Sequence, residues 1–472
     1  MKRLALALAV LMACWFSSAQ AAEPPGPGDL AGAVAVMRNV PAKGLTQEQK
    51  QAKSQDLDRA WKTLVAAGPK GSAALKDELA NLDASGGKDD FFRLGAAALL
   101  WQIGNVDQAA TIAAIWSGDV DLRVNYNYVF HTAFEAAQTR DARVLPMLVA
   151  VLKDQKGEVF IPMHSLTIDW PLSHAFIWGA FGSSGRPALE RAMNESKDEV
   201  TRASAIFLLG QMQDVGALEK IRALAHEGSG PAHVEAVKAL GVFGHPQDFD
   251  FLAAGLAGKD PTEVWACAYA LYEYGDLRAV PRLVPLLSTE NQRLGDEVVS
   301  TLEELLTPEG IEALQRCAAS TADPQRRQAC TYVVGLVMKS LNLTEAAYAA
   351  KTPPERAKLI EALRGRAEAE YRPRPGDRTF THDDLLKAAA EWKTNHRISG
   401  GAYAWVESRH VMTAATAEDI PLFLDVAAAC YTRLSDECLD EVSILNGVIE
   451  RLGRARYRRE VGLCEKVVPL QP

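Results

Sequence analysis

The sequence predicts an all-α fold, a solenoid of stacked antiparallel helix pairs, and three observations support it. Apolar residues recur at steps of 31, and others stand three and four places before each of them, which is the spacing of one helix face. Turn-forming residues then separate each helix from a second apolar helix. A pair of this size cannot bury its apolar face alone, so pairs must stack. The recurring residues are Leu209, Leu240, Leu271, Leu302 and Val333, preceded by Ala205, Ala236, Cys267, Val298 and Ala329 and by Ile206, Val237, Ala268, Val299 and Cys330.

Each 31-residue repeat therefore contains two helices. Apolar residues of the second helix fall nine, twelve and sixteen places after the recurring residue, as in Leu218, Ile221 and Ala225. Helix-stopping and capping residues lie between the two helices, and Asp260-Pro261 predicts the start of a first helix. The turns read Gln213-Asp214, Gly244-His245-Pro246, Gly275-Asp276 and Thr307-Pro308.

Two segments carry a family resemblance. Residues 232–256 read AHVEAVKALGVFGHPQDFDFLAAGL, and residues 264–287 read VWACAYALYEYGDLRAVPRLVPLL. They resemble the short HEAT-like repeats named after phycobilisome lyases, most clearly over about 200–340 and more loosely over 45–200. The resemblance implies a HEAT-like α-solenoid that acts as a scaffold for protein partners, with no catalytic activity.

Composition shifts divide the chain further. We expect a flexible spacer over 22–44, the solenoid over 45–345, a helix and linker over 346–380, and C-terminal helical repeats or a cap over 381–472. Helix pairs are predicted at 46–83, 92–117 and 123–152. The step from Ala136 to Trp178 is 42 rather than 31, so this part of the chain contains an insertion, which we place at Asp154 to Pro171.

The first 21 residues are predicted to be a signal peptide. Lys2 and Arg3 precede an apolar stretch, and Ala19-Gln20-Ala21 forms an A-x-A cleavage site. We therefore expect a bacterial protein that is periplasmic or secreted. The alternative is a lipoprotein acylated at Cys14, and only in that case is membrane attachment expected. No later stretch reaches the roughly 18 apolar residues of a membrane span.

Charge and cysteine usage narrow the class of protein. The chain has 51 Lys and Arg against 60 Asp and Glu, a net charge of −9, which excludes a general nucleic-acid binder because phosphate affinity requires concentrated positive charge. Cys317 and Cys330 flank one predicted helix-connecting turn, and Cys430 and Cys438 flank another, so both pairs are candidate disulfides. Cys267 occupies a core position and is expected to be a buried thiol. Cys464 is an alternative disulfide partner for Cys438.

The region 123–181 is the predicted site for ligand or partner binding, because aromatic and histidine residues concentrate there and long insertions often reach a binding face. A small-ligand site or a metal-dependent enzyme is the alternative function for this region, and core filling is the alternative role for its rings. His131 and Glu135 stand four apart on one helix, as Glu407 and His410 stand three apart, but neither pair is a full metal-ligand set. The predicted binding residues are Tyr126, Tyr128, His131, His164, Trp170 and His174.

Catalytic signatures are missing from the sequence. It contains no G-x-S-x-G, H-E-x-x-H, phosphate-binding G-x-x-x-x-G-K or dinucleotide-binding motif. We therefore expect no catalytic residue, metal or cofactor, and the sequence as a whole predicts an exported scaffold that binds protein partners.

Overall fold

Helices form the regular structure of this computed structural model, which describes residues 30–38, 47–154, 178, 181–369, 381–395, 415 and 417–422. Short 3₁₀ segments join many of the α-helices, and no β-strand occurs within these ranges. The chain divides into two units, one ending at Phe181 and the next beginning at Gly182.

The first unit is a stack of helix pairs. Alternate helices α2, α4 and α6 pack side by side, and α5 packs against α7 in a second layer. The pairs α2–α3, α4–α5 and α6–α7 coincide with those predicted at 46–83, 92–117 and 123–152. The helices are α1 (Leu30–Arg38), α2 (Gln47–Ala66), α3 (Pro69–Ala84), α4 (Asp90–Gly104), α5 (Ala109–Ser117), α6 (Tyr126–Gln138) and α7 (Leu145–Val151).

Helix α1 corrects one expectation, because it lies inside the stretch 22–44 that was predicted to be a flexible spacer. Ala33, Val34 and Met37 are buried, and α1 packs against α2 and α3. The proline and glycine residues near position 25 dominated the prediction, whereas three apolar residues at one-, three- and four-residue spacings form a short buried helix face.

The second unit contains the regular repeats. We call the first helix of each repeat its A helix and the second its B helix. The A helices α9, α11, α13, α15 and α17 pack side by side in that order. The helices are α8 (Arg186–Glu195), α9 (Glu199–Gln211), α10 (Val215–Glu227), α11 (Gly230–Phe243), α12 (Phe249–Gly255), α13 (Pro261–Tyr274), α14 (Val280–Leu283), α15 (Gln292–Glu304), α16 (Pro308–Ser320), α17 (Pro324–Leu341), α18 (Glu345–Ala349), α19 (Pro353–Ala369) and α20 (His382–Asn395).

The 31-residue spacing is confirmed as the spacing of the core. Each of the five recurring residues from Leu209 to Val333 lies on an A helix and is at most 3% exposed. The residue after the C-terminus of α11 and of α13 is a glycine with positive φ, Gly244 at 63° and Gly275 at 68°, where a side chain would be strained. Gln213, 31 residues before Gly244 and two residues past the end of α9, also has a positive φ, of 54°.

Helix caps repeat at the same spacing as the core, so both local and tertiary preferences set the register. In each capping pair a side chain accepts a hydrogen bond from a backbone N–H two or three residues later. Before the A helices these caps are Asp198, Asp260 and Asn291, and before the B segments they are Asp214, His245, Asp276 and Thr307.

Buried polar contacts fasten neighbouring repeats. Arg222 on α10 donates through Nε and Nη2 to the carboxylate of Asp248, at 2.7 and 3.0 Å. The Arg326 guanidinium donates to the carbonyls of Leu287 and Asn291, at 3.2 and 3.3 Å. It passes over Gly295, where an added Cβ would lie 2.3 Å from the guanidinium. The glycine is therefore what allows α17 to approach α15.

The predicted disulfide between Cys317 of α16 and Cys330 of α17 is confirmed, with the two Cα atoms 6.1 Å apart. Cys267 is a buried free thiol, as expected, and burial raises its pKa to about 12. Cys430, Cys438 and Cys464 lie outside the described residues. Within the described ranges, no helix combines the length and the apolar character that crossing a membrane requires.

Candidate functional site

Helix α6 carries Tyr128 and His131, the two predicted binding residues whose side chains are described. The Tyr128 ring lies 5.3 Å from the ring of Trp61 and 6.2 Å from that of Phe91. Glu135, two turns along the same helix, accepts a hydrogen bond of 3.0 Å from Trp101 Nε1 on α4. His131 stands between Tyr128 and Glu135 in sequence and is partly buried. These contacts join α2, α4 and α6 in one aromatic region.

Burial sets the charge state of this region. It lowers the pKa of His131 and raises that of Tyr128, so both side chains are neutral at pH 7. Burial also raises the pKa of Glu135, and the hydrogen bond from Trp101 opposes that change. The structure places His131 and Glu135 on one helix, as predicted, but the hydrogen bond that it gives Glu135 comes from Trp101.

The other predicted residues cannot be placed beside Tyr128 and His131. Tyr126 belongs to α6, but its side chain lies outside the described part of the structure, as do His164, Trp170 and His174 entirely. Glu407 and His410 also fall outside it. Within the described ranges, no group of three or more His, Cys, Asp or Glu side chains is arranged to hold a metal ion.

A second concentration of aromatic and charged side chains lies on the A helices of the second unit. It is built from residues three or four apart on α11, α13 and α15, so each helix contributes from one face. Six of its seven side chains are buried, and Arg293 is exposed. We call it the acidic–aromatic cluster; its members are Glu235, Lys238, Trp265, Tyr269, Glu273, Arg293 and Glu297.

Two cations in this cluster lie against aromatic rings. Lys238 Nζ donates to both carboxylate oxygens of Glu235, at 2.8 and 3.0 Å. The same ammonium lies 4.9 Å from the ring centroid of Tyr269 and 5.5 Å from that of Trp265. The Arg293 guanidinium carbon lies 3.7 Å from the Trp265 centroid. These distances are those of cation–π contacts, so the cluster is a site that already holds cationic groups.

Comparison with known proteins identifies the repeats that carry this cluster. The family model of HEAT repeats matches residues 186–272 and 256–335. Residues 186–335 are HEAT repeats. The match is to HEAT repeats as a class, so the phycobilisome-lyase type stays a resemblance. No curated protein matches the chain. HEAT repeats are typical protein-binding modules, and the acidic–aromatic cluster lies within the matched HEAT repeats.

Carboxylates outnumber cations in the cluster, since three glutamates face one lysine and one arginine. Burial and the neighbouring charge of Glu273 raise the pKa of Glu297 to about 7, against the opposing influence of Lys238, the Trp265 N–H and Arg293. Burial likewise raises the pKa of Glu235, which Lys238 opposes. Burial in the HEAT array therefore favours the neutral forms of Glu235 and Glu297.

The sequence contains a signal for this cluster that our prediction missed. Glu235 and Lys238 are three apart on α11, and Arg293 and Glu297 are four apart on α15, on the side of each helix away from the recurring leucine. Charges at these spacings usually indicate a solvated helix face. One repeat after Glu235 the same position holds Ala266, so the charge is specific to this part of the array rather than a property of every repeat.

Proposed function

We propose that this protein is an exported HEAT-repeat scaffold that binds a protein partner on the A-helix face of residues 186–335. The acidic–aromatic cluster is the observation that carries the proposal. Interface hot spots are rich in Trp, Tyr and Arg, and they are surrounded by contacts that exclude water. Arg293 is the exposed member of that set, and it lies against the buried Trp265 ring, with the buried Tyr269 ring next to Trp265.

Residues beside the cluster extend the proposed surface. Phe207 and Gln211 of α9 line a small hollow together with Glu235, Lys238 and Tyr269. Both are only partly buried, so they offer contact area next to the cluster. A row of helices that each present one face suits a partner that runs across several repeats.

Export is supported by the leader predicted over residues 1–21 and by the Cys317–Cys330 disulfide. Structural disulfides persist mainly in oxidising compartments such as the periplasm and the extracellular space. We therefore propose a periplasmic or secreted location. If the leader is cleaved after Ala21, the exported protein begins at Ala22.

Site-specific crosslinking tests the proposed binding face. A photo-crosslinking amino acid at Gln211, beside the cluster, is compared with the same amino acid at Lys220, which is exposed on the B helix α10. Both full-length proteins are expressed in their host and irradiated. We expect one discrete protein adduct at position 211 and none at position 220. Equal adducts at both positions, or none at either, would contradict the proposal.

Cell fractionation with intact-mass measurement tests export. The expected product lies in the periplasm or medium, and its mass corresponds to a chain that starts at Ala22. Cys14→Ser distinguishes the lipoprotein alternative from cleavage after Ala21. If the protein is acylated at Cys14, the substitution releases it from the membrane fraction; if the leader is cleaved after Ala21, the substitution does not change where the protein is found. Retention of the uncleaved chain in the cytoplasm would refute export, but it would not contradict the proposed binding face.

A further inference from the structure

Two carboxyl groups meet between α8 and the beginning of α10, at the start of the HEAT repeats. We call Glu190 and Asp214 the carboxyl pair. We propose that the pair is a pH-dependent contact: a proton shared between the two carboxyls holds α8 against the start of α10, and loss of that proton to solvent loosens α8. This inference goes beyond the proposed function and does not depend on it, because it involves neither the partner nor the acidic–aromatic cluster.

Asp214 is the buried member of the carboxyl pair. It is 1% exposed and stands directly before α10, where its Oδ1 atom accepts the Gly216 N–H at 3.0 Å. The guanidinium of Arg186, the first residue of α8, donates to the same oxygen. The other oxygen, Oδ2, is buried and finds no N–H donor among the described residues. A buried carboxylate oxygen without a donor is costly, so a donor placed at Oδ2 stabilises the fold.

Glu190 supplies that donor when it is protonated. It lies four residues after Arg186 on α8, so both side chains project from one side of the helix. The Glu190 carboxyl forms a hydrogen bond with Asp214. Two ionised carboxylates can only accept hydrogen bonds, so this bond requires a proton on one of them. Because two donors already bind Asp214 Oδ1, we place the proton on Glu190.

The surroundings of Glu190 favour its neutral form. The hydrogen bond with Asp214 raises the pKa of Glu190, burial and the negative charge of Asp214 raise it further, and the charges of Arg186 and Lys220 oppose the rise. The stability that protonated Glu190 contributes is therefore fully present below pH 4.5 and is lost as the pH rises through the higher, folded-state value.

Helix α9 also packs along α8 and brings a third cation near it. This cation, Arg202, donates to the Met193 carbonyl at 3.2 Å and to Glu199 at 2.5 Å. Its charge is thus directed to the C-terminal part of α8 and to its own helix. The proton of the carboxyl pair is what joins Glu190 to the start of α10.

Hydrogen exchange on the full-length protein tests the inference. Protection factors, which correct for the pH dependence of intrinsic exchange, are compared at pH 4 and pH 8 for α8 and for the first turn of α10. EDTA is present throughout, so that no divalent cation takes the place of the proton. We expect protection of both segments to be about fivefold lower at pH 8, less than the roughly tenfold effect of a fully buried charge-assisted hydrogen bond because Glu190 is partly exposed.

Two substitutions of Glu190 separate the proton from simple packing. Glu190→Gln carries an amide that donates at every pH, so its protection should be the same at pH 4 and pH 8 and close to the acid value of the parent. Glu190→Ala has no donor, so its protection should be low at both pH values. The matched control is Glu195→Gln, which removes one charge from an exposed residue of the same helix and should follow the parent.

Three results would overturn the inference. Protection of α8 in the parent that does not fall at pH 8 would show that the carboxyl pair does not hold the helix. A pH dependence in Glu190→Gln equal to that of the parent would assign the effect to another group. Loss of the pH dependence in Glu195→Gln would assign it to the net charge of α8. If Glu190→Ala does not fold, the parent, Glu190→Gln and the control decide the matter.

Discussion

The α4–α6 region of the first unit and the acidic–aromatic cluster of the second are built from similar parts. In the first, the Trp101 N–H on α4 donates to Glu135 on α6, and in the second Trp265 on α13 neighbours Glu297 on α15. The regions differ in their cations. Lys238 and Arg293 lie over rings in the second region, whereas His131 in the first is neutral at pH 7. Aromatic density is therefore common to the two regions, and buried charge distinguishes them.

The two regions also respond to pH in opposite directions. Protonation of Glu297 removes a poorly compensated buried charge, so acid favours folding of the second region. Protonation of His131 creates a buried charge, so acid disfavours folding of the first. Variants that remove one group at a time can therefore separate the two regions in a single chain.

The largest expected effect tests the covalent link of the second unit. Replacing Cys317 and Cys330 together with serine opens a loop closed by residues 13 apart in sequence, and chain-entropy reasoning gives a loss of about 3 kcal/mol in the free energy of unfolding. Hydrogen exchange followed by mass spectrometry should show faster exchange in α16 and α17, with α4 and α6 unchanged. A reductant should reproduce the change at these helices in the parent protein and should have no further effect there in the double variant.

The next effect isolates Glu297. Its pKa is raised from 4.5 to about 7, so the stability that its neutral form contributes is present below pH 4.5 and is lost as the pH rises to 7. Glu297→Gln should therefore be more stable than the parent above pH 7, by up to about 3 kcal/mol at 1.36 kcal/mol per pKa unit. Chemical denaturation at pH 8 and pH 4 measures the difference, which should vanish at the lower pH.

Glu135→Gln is the matched variant in the first region. Burial raises the pKa of Glu135 as well, but its side chain is more exposed and accepts a bond from Trp101. We expect the same sign and a smaller change. A larger gain in Glu135→Gln than in Glu297→Gln would mean that the first region carries the greater uncompensated charge, which would reverse the comparison.

The sequence predicted the fold of the repeats more fully than it predicted the site, for a physical reason. A core position repeats because every A helix must bury the same face, so the spacing of Leu240 and Leu271 predicts the repeat array. The caps Asp214 and Asp276 repeat because each B segment begins with the same unpaired N–H groups. Lys238 does not recur, and Glu297 shares its repeat position with Glu235 but not with the Ala266 between them, so these charges do not mark every repeat. Their importance comes from burial against neighbouring repeats. Helical spacing predicts which face of a helix such residues occupy, but it does not tell whether that face is buried or exposed to solvent.

A smaller effect is expected from Trp101→Phe, which keeps an aromatic ring and removes the N–H that Glu135 accepts. The loss of one hydrogen bond and some packing should lower the free energy of unfolding by about 1–2 kcal/mol. Faster hydrogen exchange should be confined to α4 and α6. Trp265→Phe is the counterpart in the second region, where faster exchange should be confined to α13 and its neighbours α11 and α15; faster exchange in α13 of Trp101→Phe would contradict the separation of the two regions.

The smallest effect concerns His131. Burial lowers its pKa below the ordinary value of 6.5, so the stability that its neutral form contributes is present above pH 6.5 and is lost as the pH falls through the lower, folded-state value. His131→Gln cannot be protonated, and its stability should therefore depend less on pH below 6.5. Hydrogen exchange in α6 at pH 7 and pH 5 measures this locally, apart from the opposite response of Glu297. Since glutamine packs differently from histidine, the decisive quantity is the change between the two pH values. An equal change in the parent and in His131→Gln would show that another group controls the acid response of the first region.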